Sequence, residues 1–375
     1  MKQSFNIGAS WRSEDVSWLR RSGLVGLILL AAAAIGCSSP AVRFAYVATQ
    51  QGIYAFRMNS HNGGGSLIFG SPFVTKIAPT QAASPASVIV HPSNDFLYAA
   101  NQNTNTISLF KINSNTGALD EVLPRTALVT SGGVGLSPGV MTMDTGGKYL
   151  FVGNQVTNDI WVYSVGSSGA LTFVSSAQVG ASPGGLTLSA SGDFLYVPVP
   201  TFSAVYVFNV NAGVLTQVGS PIIVNGGVGR LGIDPAGKFL YVPNPSLNTV
   251  TVLLIQSDGS LLSGPGLFVT GTSPVAAATD TTGAFVYVVN SASANLSQFK
   301  VDTTTGALTA LTSSVAGTGT NPESILVDPD AKFVFVINEQ SNSITEFTVS
   351  KDGTLATTGN TLQVNVAPRS LALTK

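Results

Sequence analysis

The sequence has very few of the side chains that build disulfides or metal sites. Its 375 residues include one cysteine, Cys37, and two histidines, His61 and His91. A lone cysteine excludes an internal disulfide, and this small set cannot supply the ligands of a His/Cys zinc site. We therefore expect no metal and no other cofactor.

Charge is scarce as well. Asp, Glu, Lys and Arg make up 9% of the chain, whereas soluble domains average about 25%. The formal net charge is -1, so the chain does not offer the basic face that nucleic-acid binding requires. Glycine is abundant, with 40 residues, and such a composition is common in exported all-β proteins.

Long apolar runs are limited to one, LVGLILLAAAAI at residues 24–35. Twelve residues are too few for a transmembrane helix, which needs about 20, but they suit the hydrophobic region of a secretory signal. The run ends in AIGC at residues 34–37, which resembles a bacterial lipobox. We expect a lipoprotein signal peptide over residues 1–36, lipidation of Cys37 and a tether over residues 37–42. The alternative is an ordinary signal peptide with an incidental cysteine.

The strongest positive signal is a unit of three short strands that the chain repeats. Residues 228–254 show it clearly: LGI, a tight turn DPAG, the strand KFLYV, a polar turn and the strand TVTVLL. Asp first, Pro second and Gly fourth is the pattern of a type I turn. In KFLYV, Phe239 and Tyr241 lie on one face and Leu240 on the other, as in a strand packed between two layers.

The copies follow one another at intervals of 45 to 53 residues, in the range of propeller blades. Aligned on the residue that opens each first strand, the units begin at Pro85, Pro138, Pro183, Val228, Pro274, Pro322 and Pro368.

The last unit is incomplete, because residues 368–373 offer a first strand with nothing after it. Residues 44–56 offer a second and a third strand with no first strand before them. Joined, the two fragments make one more blade and remove the exposed edges of an open array. The sequence therefore predicts an all-β, seven-bladed β-propeller over residues 43–375, closed by pairing of the C-terminal strand with the N-terminal blade.

The segment DPAGKFLYVPN at residues 234–244 resembles the YVTN repeat, and residues 43–375 as a whole resemble the seven-bladed lactonase family. That family includes bacterial 6-phosphogluconolactonases, but YVTN propellers without known enzymatic function share the same repeat. The resemblance implies a Pro-Arg-His run and an Asn-Glu pair within one blade of the enzymes. Here Asn338-Glu339 matches the pair, but Pro322 is followed by Glu323 and Ser324, and Pro368-Arg369 lies in another blade with Ser370 in place of histidine.

Four charged residues break columns of the repeat that otherwise hold small or neutral residues. They are Arg230, Glu323, Glu339 and Arg369. Each follows a strand opening or a strand-end asparagine, so we expect all four at one end of the central channel. Either glutamate is a candidate base, and either arginine a candidate cation for the oxyanion of an opening lactone. The alternative is a set of surface ion pairs between neighbouring blades.

Two functions remain open at this point. The first is a lipid-anchored, exported propeller of the bacterial cell envelope that acts as a binding or scaffold module. Its ligand site would lie at the mouth of the channel, for an unidentified small molecule or an envelope protein. We expect a monomer that contacts the membrane through its lipid alone and binds no nucleic acid. The alternative is a lactonase-like hydrolase that uses the same place.

Overall fold

The computed structural model describes residues 42–74, 83–130 and 133–375. The predicted signal peptide, Cys37 and the tether up to residue 41 lie outside the described residues. Within them the chain forms β-strands, turns and one 3-10 helix, Pro200–Phe202. A helix long and apolar enough to cross a membrane does not occur in this part of the chain.

The strands form seven antiparallel sheets, the blades of a propeller, and one small extra hairpin. We number the blades from the one that contains the N-terminal strands. Blade 1 consists of β1 (Arg43–Thr49), β2 (Gly52–Met58), β3 (Gly65–Leu67) and the C-terminal strand β31 (Pro368–Leu373). Blade 2 consists of β4 (Pro85–Val90), β5 (Phe96–Asn101), β6 (Thr106–Ile112) and β7 (Leu119–Ala127). The hairpin of β8 (Val129–Thr130) and β9 (Gly133–Val134) follows.

The remaining blades keep the same order, with the first strand innermost. Blade 3 contains β10 (Pro138–Met143), β11 (Tyr149–Asn154), β12 (Asp159–Val165) and β13 (Leu171–Gln178). Blade 4 contains β14 (Thr187–Leu188), β15 (Phe194–Val199), β16 (Ala204–Asn211), β17 (Val214–Gln217) and β18 (Ile222–Ile223). Blade 5 contains β19 (Gly232–Ile233), β20 (Phe239–Asn244), β21 (Thr249–Ile255) and β22 (Leu261–Val269). Blade 6 contains β23 (Pro274–Thr279), β24 (Phe285–Asn290), β25 (Asn295–Val301) and β26 (Leu308–Gly317). Blade 7 contains β27 (Pro322–Val327), β28 (Phe333–Asn338), β29 (Ser343–Val349) and β30 (Leu355–Gln363).

The ring closes through the C-terminal strand, as the sequence predicts. β31 pairs antiparallel with β1, so that Leu373 lies opposite Ala45 and Leu371 opposite Val47. Blade 7 then packs against blade 1 through an apolar core. Its buried members are Ala45, Val47, Tyr54 and Phe56 from blade 1 and Phe333, Phe335, Ile337, Ile344, Leu362 and Val364 from blade 7.

Neighbouring blades are also tied by a hydrogen bond that recurs with the repeat. A buried tyrosine hydroxyl of the second strand donates to the carbonyl of a hairpin glycine in the next blade. The pairs are Tyr46 to Gly117, Tyr98 to Gly169, Tyr196 to Gly259 and Tyr287 to Gly353, at 2.8 to 3.3 Å. The contact requires glycine, since Gly117 has a φ of 72° and its missing Cβ leaves space for the ring of Phe44.

The turns between first and second strands lie together on what we call the far face, and the opposite end of the channel is the mouth. In the turn of blade 5, Oδ1 of Asp234 accepts hydrogen bonds from the amides of Lys238 and Phe239, both at 2.6 Å. His91 takes the same position in blade 2, and its Nδ1 accepts from the amide of Ser93 at 3.1 Å. His91 therefore caps its own turn and does not reach the mouth.

Two inner strands are shorter than the repeat predicts. β14 and β19 each span two residues, although their units open at Pro183 and Val228. The residues facing these openings are Pro198 and Pro243, where the other blades carry residues with an amide hydrogen. Because proline cannot donate to the ladder, the pairing there is reduced to single bonds such as Gly229 N to the carbonyl of Pro243 at 2.9 Å.

Candidate functional site

The inner strands surround a central cavity of about 390 Å³. Most of its walls are small or apolar, including Val140, Leu231 and Ala276. The charged side chains among its described lining residues are Arg230 and Arg369. This volume lies in the range of small-molecule sites, and the two arginines give it a polar end at the mouth.

Arg230 owes its position to the shortened inner strand of blade 5. Its amide donates to the carbonyl of Val275 at 2.8 Å, and its carbonyl accepts from Ala277 at 3.1 Å, so it bridges to blade 6. Burial lowers the pKa of the Arg230 guanidinium, while the charge of Glu323 acts in the opposite direction. Pro243 thus has a consequence for the site, because it frees this segment to pair with the next blade.

Glu323 and Glu339 form a carboxyl pair within blade 7. Glu323 follows Pro322 in β27, Glu339 follows Asn338 at the end of β28, and Pro322 lies opposite Asn338. The register shifts between Pro322 and Ser324, and such a bulge re-aims the side chain that it contains. The Glu339 carboxyl lies close enough to that of Glu323 to raise its pKa.

Burial, and then the contact with Glu339, raises the pKa of Glu323 from 4.5 to about 7. Arg230 and Arg369 act against this rise. Oε2 of Glu339 accepts a hydrogen bond from Nδ2 of Asn321 at 2.8 Å, which orients it. Below about pH 7 Glu323 therefore keeps its proton, as two close carboxyl groups resist ionising together.

Arg369, in β31, connects the glutamates to the blades on its other side. Its Nη1 donates to Oε1 of Gln102 at 2.9 Å and to Oγ of Ser84 at 3.2 Å. Nε2 of Gln102 donates in turn to Oε1 of Gln155 at 2.8 Å. Burial lowers the pKa of Arg369, and Glu339 and then Glu323 raise it. The four charges picked out by the repeat columns thus interact at one end of the channel.

Sequence reasoning missed the neutral members of this network, namely Ser84, Gln102, Gln155 and Asn321. One signal was available for the glutamines, which occupy the same place after the strand-end asparagine in adjacent blades. On blades 3 to 5 glycine takes the position that Glu323 has in blade 7, and this allows the neighbouring residues to pack closely there. A Cβ on Gly229, for example, would meet the carbonyl group of Val275.

The described ranges 42–74, 83–130 and 133–375 contain no group of side chains that could serve as a metal site. Within them, three or more His, Cys, Asp or Glu residues are nowhere grouped to hold an ion. The chemistry that the mouth can offer is proton transfer by a carboxyl pair and charge stabilisation by two guanidinium groups.

A family model described as lactonase, 7-bladed beta-propeller, matches residues 31–134, 137–229 and 224–322. The chain belongs to the seven-bladed lactonase family. No curated protein sequence matches it.

Several solved structures share the fold of this lactonase-family chain. A candidate 6-phosphogluconolactonase of Bacteroides fragilis superposes with a TM-score of 0.75 at 21% identity, over 90% of this chain and 99% of that one. The periplasmic gluconolactonase of Pseudomonas aeruginosa gives a TM-score of 0.72 at 19% identity, over 89% and 99%. A candidate 6-phosphogluconolactonase of Bacteroides uniformis gives 0.74 at 18% identity, over 89% and 99%. At such identities the likeness shows the fold.

In this lactonase-family propeller the two halves of the motif, Pro368-Arg369 and Asn338-Glu339, lie in neighbouring blades and meet where the ring closes. Arg369 of blade 1 interacts with Glu339 and Glu323 of blade 7. Ser370, which stands where the family motif has histidine, is bound to its neighbour's backbone: its Oγ accepts from the amide of Val88 at 3.2 Å. Among the four charged residues of this mouth, the groups that can accept a proton are the carboxyl groups of Glu323 and Glu339.

Proposed function

We propose that the protein hydrolyses a lactone at the mouth, with Glu323 as the base and Arg369 and Arg230 as the cations that face the carbonyl oxygen. The observation that carries the proposal is the Glu323–Glu339 pair between the two arginines. Burial and the Glu339 contact bring the pKa of Glu323 to about 7, where a base operates efficiently at neutral pH.

The reaction needs one proton acceptor and one site for negative charge. Ionised Glu323 accepts a proton from the water that attacks the lactone carbonyl carbon. The carbonyl oxygen becomes negative in the tetrahedral intermediate, and the arginine guanidinium groups stabilise it. Protonated Glu323 then returns the proton to the ring oxygen as the C–O bond breaks, which leaves a hydroxy acid. Glu339, held by Asn321, keeps the Glu323 carboxyl oriented through these steps.

The charge balance favours an uncharged lactone over a phosphorylated one. A phosphomonoester carries about two negative charges at neutral pH, and the two arginines already face two glutamates. Among the described residues, the lysines lie toward the far face, at strand ends and turns such as those of Lys148, Lys238 and Lys332. The mouth therefore has little cationic charge to spare.

An exported, lipid-anchored location is part of the same proposal. Its support is the apolar run before Cys37 and the fold shared with a periplasmic gluconolactonase. An uncharged sugar lactone suits an envelope protein better than a phosphorylated intermediate of the cytoplasm does.

A second candidate function is ligand binding without turnover. The observation that favours it is Ser370, because the histidine of the family motif is replaced by a residue engaged with Val88. In that case the mouth would bind a hydroxy acid or lactone through its arginines and release it unchanged.

The test follows hydrolysis of glucono-δ-lactone and of its 6-phosphate by pH-stat at pH 8, with the uncatalysed rate subtracted. We expect catalysis with the unphosphorylated lactone, a loss of at least about 100-fold for Glu323→Gln, and an unchanged rate for Asp352→Asn on a far-face hairpin. Calorimetry with gluconate separates the two functions. Binding without turnover leaves the second candidate, and neither binding nor turnover would refute both.

A further inference from the structure

One residue outside the mouth breaks the repeat in the interior of the fold. Glu346, in β29, is 0% exposed. Both of its carboxyl oxygens lack a hydrogen-bond partner among the described residues. Blade 6 has Gln298 at this position, whose Oε1 accepts from the amide of Leu355 at 2.6 Å. In blades 1 to 5 the equivalent residue is apolar: Ala55, Leu109, Val162, Val207 and Val252.

Glu346 lies at the interface that closes the ring. It pairs across the strands with Phe335, a member of the apolar core between blades 7 and 1. A Cβ built on Gly63 of the β2–β3 hairpin would overlap Oε1 of Glu346. The carboxyl group therefore contacts the backbone of Gly63 directly.

Gly63 is the blade 1 counterpart of the glycines that accept tyrosine hydroxyls elsewhere in the ring. Its φ is 77°, and its amide donates to the carbonyl of Asn59 at 2.8 Å, as that of Gly117 does to Asn113 at 2.7 Å. The residue of blade 7 at the strand position of these tyrosines is Phe335, which has no hydroxyl. The tyrosine donor is thus missing at the closure. It is also missing in blade 3, which has Phe151 at this position, and Tyr241 of blade 5 has no hydrogen-bond partner among the described residues. The closure differs from these two places in that a carboxyl group, that of Glu346, contacts the glycine.

A carboxyl group can replace a tyrosine hydroxyl only while it is neutral, because the ionised form has no hydrogen to donate. Burial alone raises the pKa of Glu346 from 4.5 to about 8. The charged groups of the neighbouring elements are Arg43, His61, Asp328, Asp330 and Lys332, which surround a far-face cavity of about 370 Å³ that Gly63 also borders. Arg43 is engaged with Asp328 and Asp330, and none of the five contributes to the rise.

We propose that closure of the ring is proton-linked: the neutral Glu346 carboxyl donates to Gly63 in place of the missing tyrosine, and its ionisation weakens the contact between blades 7 and 1. An ionised Glu346 would be a buried carboxylate without a partner in an apolar interface, which is a strongly unfavourable state. The proposal is independent of any activity at the mouth.

The sign of the effect follows from linkage. The folded-state pKa is about 8 and the ordinary value is 4.5. The contribution to stability is therefore fully present below about pH 4.5 and is lost as the pH rises through 8. The full-length protein should therefore become easier to unfold between about pH 4.5 and pH 8, with little further change above that.

The experiment measures the urea midpoint at several pH values and the protonation state of Glu346 by carboxyl ¹³C NMR. We expect the wild-type midpoint to fall between about pH 4.5 and 8, with one glutamate carboxyl titrating near 8 and absent from the spectrum of Glu346→Gln. Glu346→Gln, which copies the amide of blade 6, should lose at least half of that fall. Asp352→Asn, which changes an exposed carboxylate in the β29–β30 hairpin of the same blade, is the matched control and should keep the fall.

A double variant protects the test against a folding defect. Phe335→Tyr with Glu346→Leu gives blade 7 the pair that blade 2 has, Tyr98 and Leu109. This variant should also lose at least half of the fall, and Glu323, whose pKa is raised to about 7, accounts for the remainder. A wild-type midpoint that does not change with pH, or an equal fall in Glu346→Gln, would overturn the proposal. So would a Glu346 carboxyl that titrates below about pH 6.

Discussion

The carboxyl pair at the mouth makes a quantitative prediction about pH. With Glu323 as the base and its pKa at about 7, roughly 9% of the molecules hold it ionised at pH 6 and roughly 91% at pH 8. We expect kcat/KM for glucono-δ-lactone to rise about tenfold across that interval after subtraction of the uncatalysed rate. The profile should level off above about pH 8.

Replacement of the neighbouring carboxyl separates its contribution from that of burial. Glu339→Gln removes the second and third causes of the raised pKa of Glu323 and leaves burial, which is the largest. A downward shift of about one pH unit would raise the ionised fraction at pH 6 about fivefold. We therefore expect Glu339→Gln to be more active than the wild type at pH 6. The oxygen of the glutamine amide can accept the hydrogen bond from Nδ2 of Asn321, as Oε2 of Glu339 does.

The assay is a set of pH-stat progress curves between about pH 5.5 and 8.5, with Asp352→Asn as a charge control far from the mouth. Carboxyl ¹³C NMR titration of Glu323 in the absence of substrate checks the same quantity without catalysis. If the profile of Glu339→Gln coincides with that of the wild type while the NMR titration has moved, Glu323 is not the base. If neither moves, the coupling of the two carboxyl groups is itself wrong.

Three further predictions concern the rest of the chain. Deletion of residues 368–375 removes the inner strand of blade 1, including Leu371 and Leu373, whose burial contributes at most about 1.5–3 kcal/mol each. We expect the shortened protein to unfold or aggregate, and a thermal melt like that of the parent would exclude the closed ring in solution. Asp234→Ala removes a buried side chain that accepts three backbone hydrogen bonds within its turn, and it should cost about 1–3 kcal/mol in urea unfolding, whereas Asp258→Ala, on an exposed hairpin, should change little. Cys37→Ser should yield protein without a lipid adduct by mass spectrometry of the mature N-terminus, and a wild type without such an adduct would remove the anchor.

Most of the fold could be predicted from the sequence, because the repeat shows which residues occupy equivalent strand positions in each blade. The fragments at residues 44–56 and 368–373 have meaning only when they are joined, and the structure joins them through β1 and β31. The positions of Arg230 and Arg369 were readable for the same reason, since symmetry predicts small residues where they stand.

The remainder escaped because it depends on contacts between blades. Gln102 and Asn321 are ordinary loop residues until Arg369 and Glu339 are placed beside them. Glu346 stands in a strand whose two faces are both covered, so its sequence context does not reveal that it meets Gly63. The short strands β14 and β19 result from Pro198 and Pro243, which lie opposite them in β15 and β20 and cannot donate a hydrogen bond.

The direction of β1 has a consequence for how the protein is presented to its surroundings. β1 begins at Arg43, which is bound to Asp328 and Asp330 on the far face, and β31 ends beside Asn94 on that same face. A group joined upstream of Val42, such as a lipid at Cys37, a fusion partner or a sensor chip, would therefore be attached to the propeller at its far face. From Cys37 to Arg43 the backbone can reach about 20 Å at most. A molecule attached in this way would have its far face toward the surface and the mouth of its channel toward the solution.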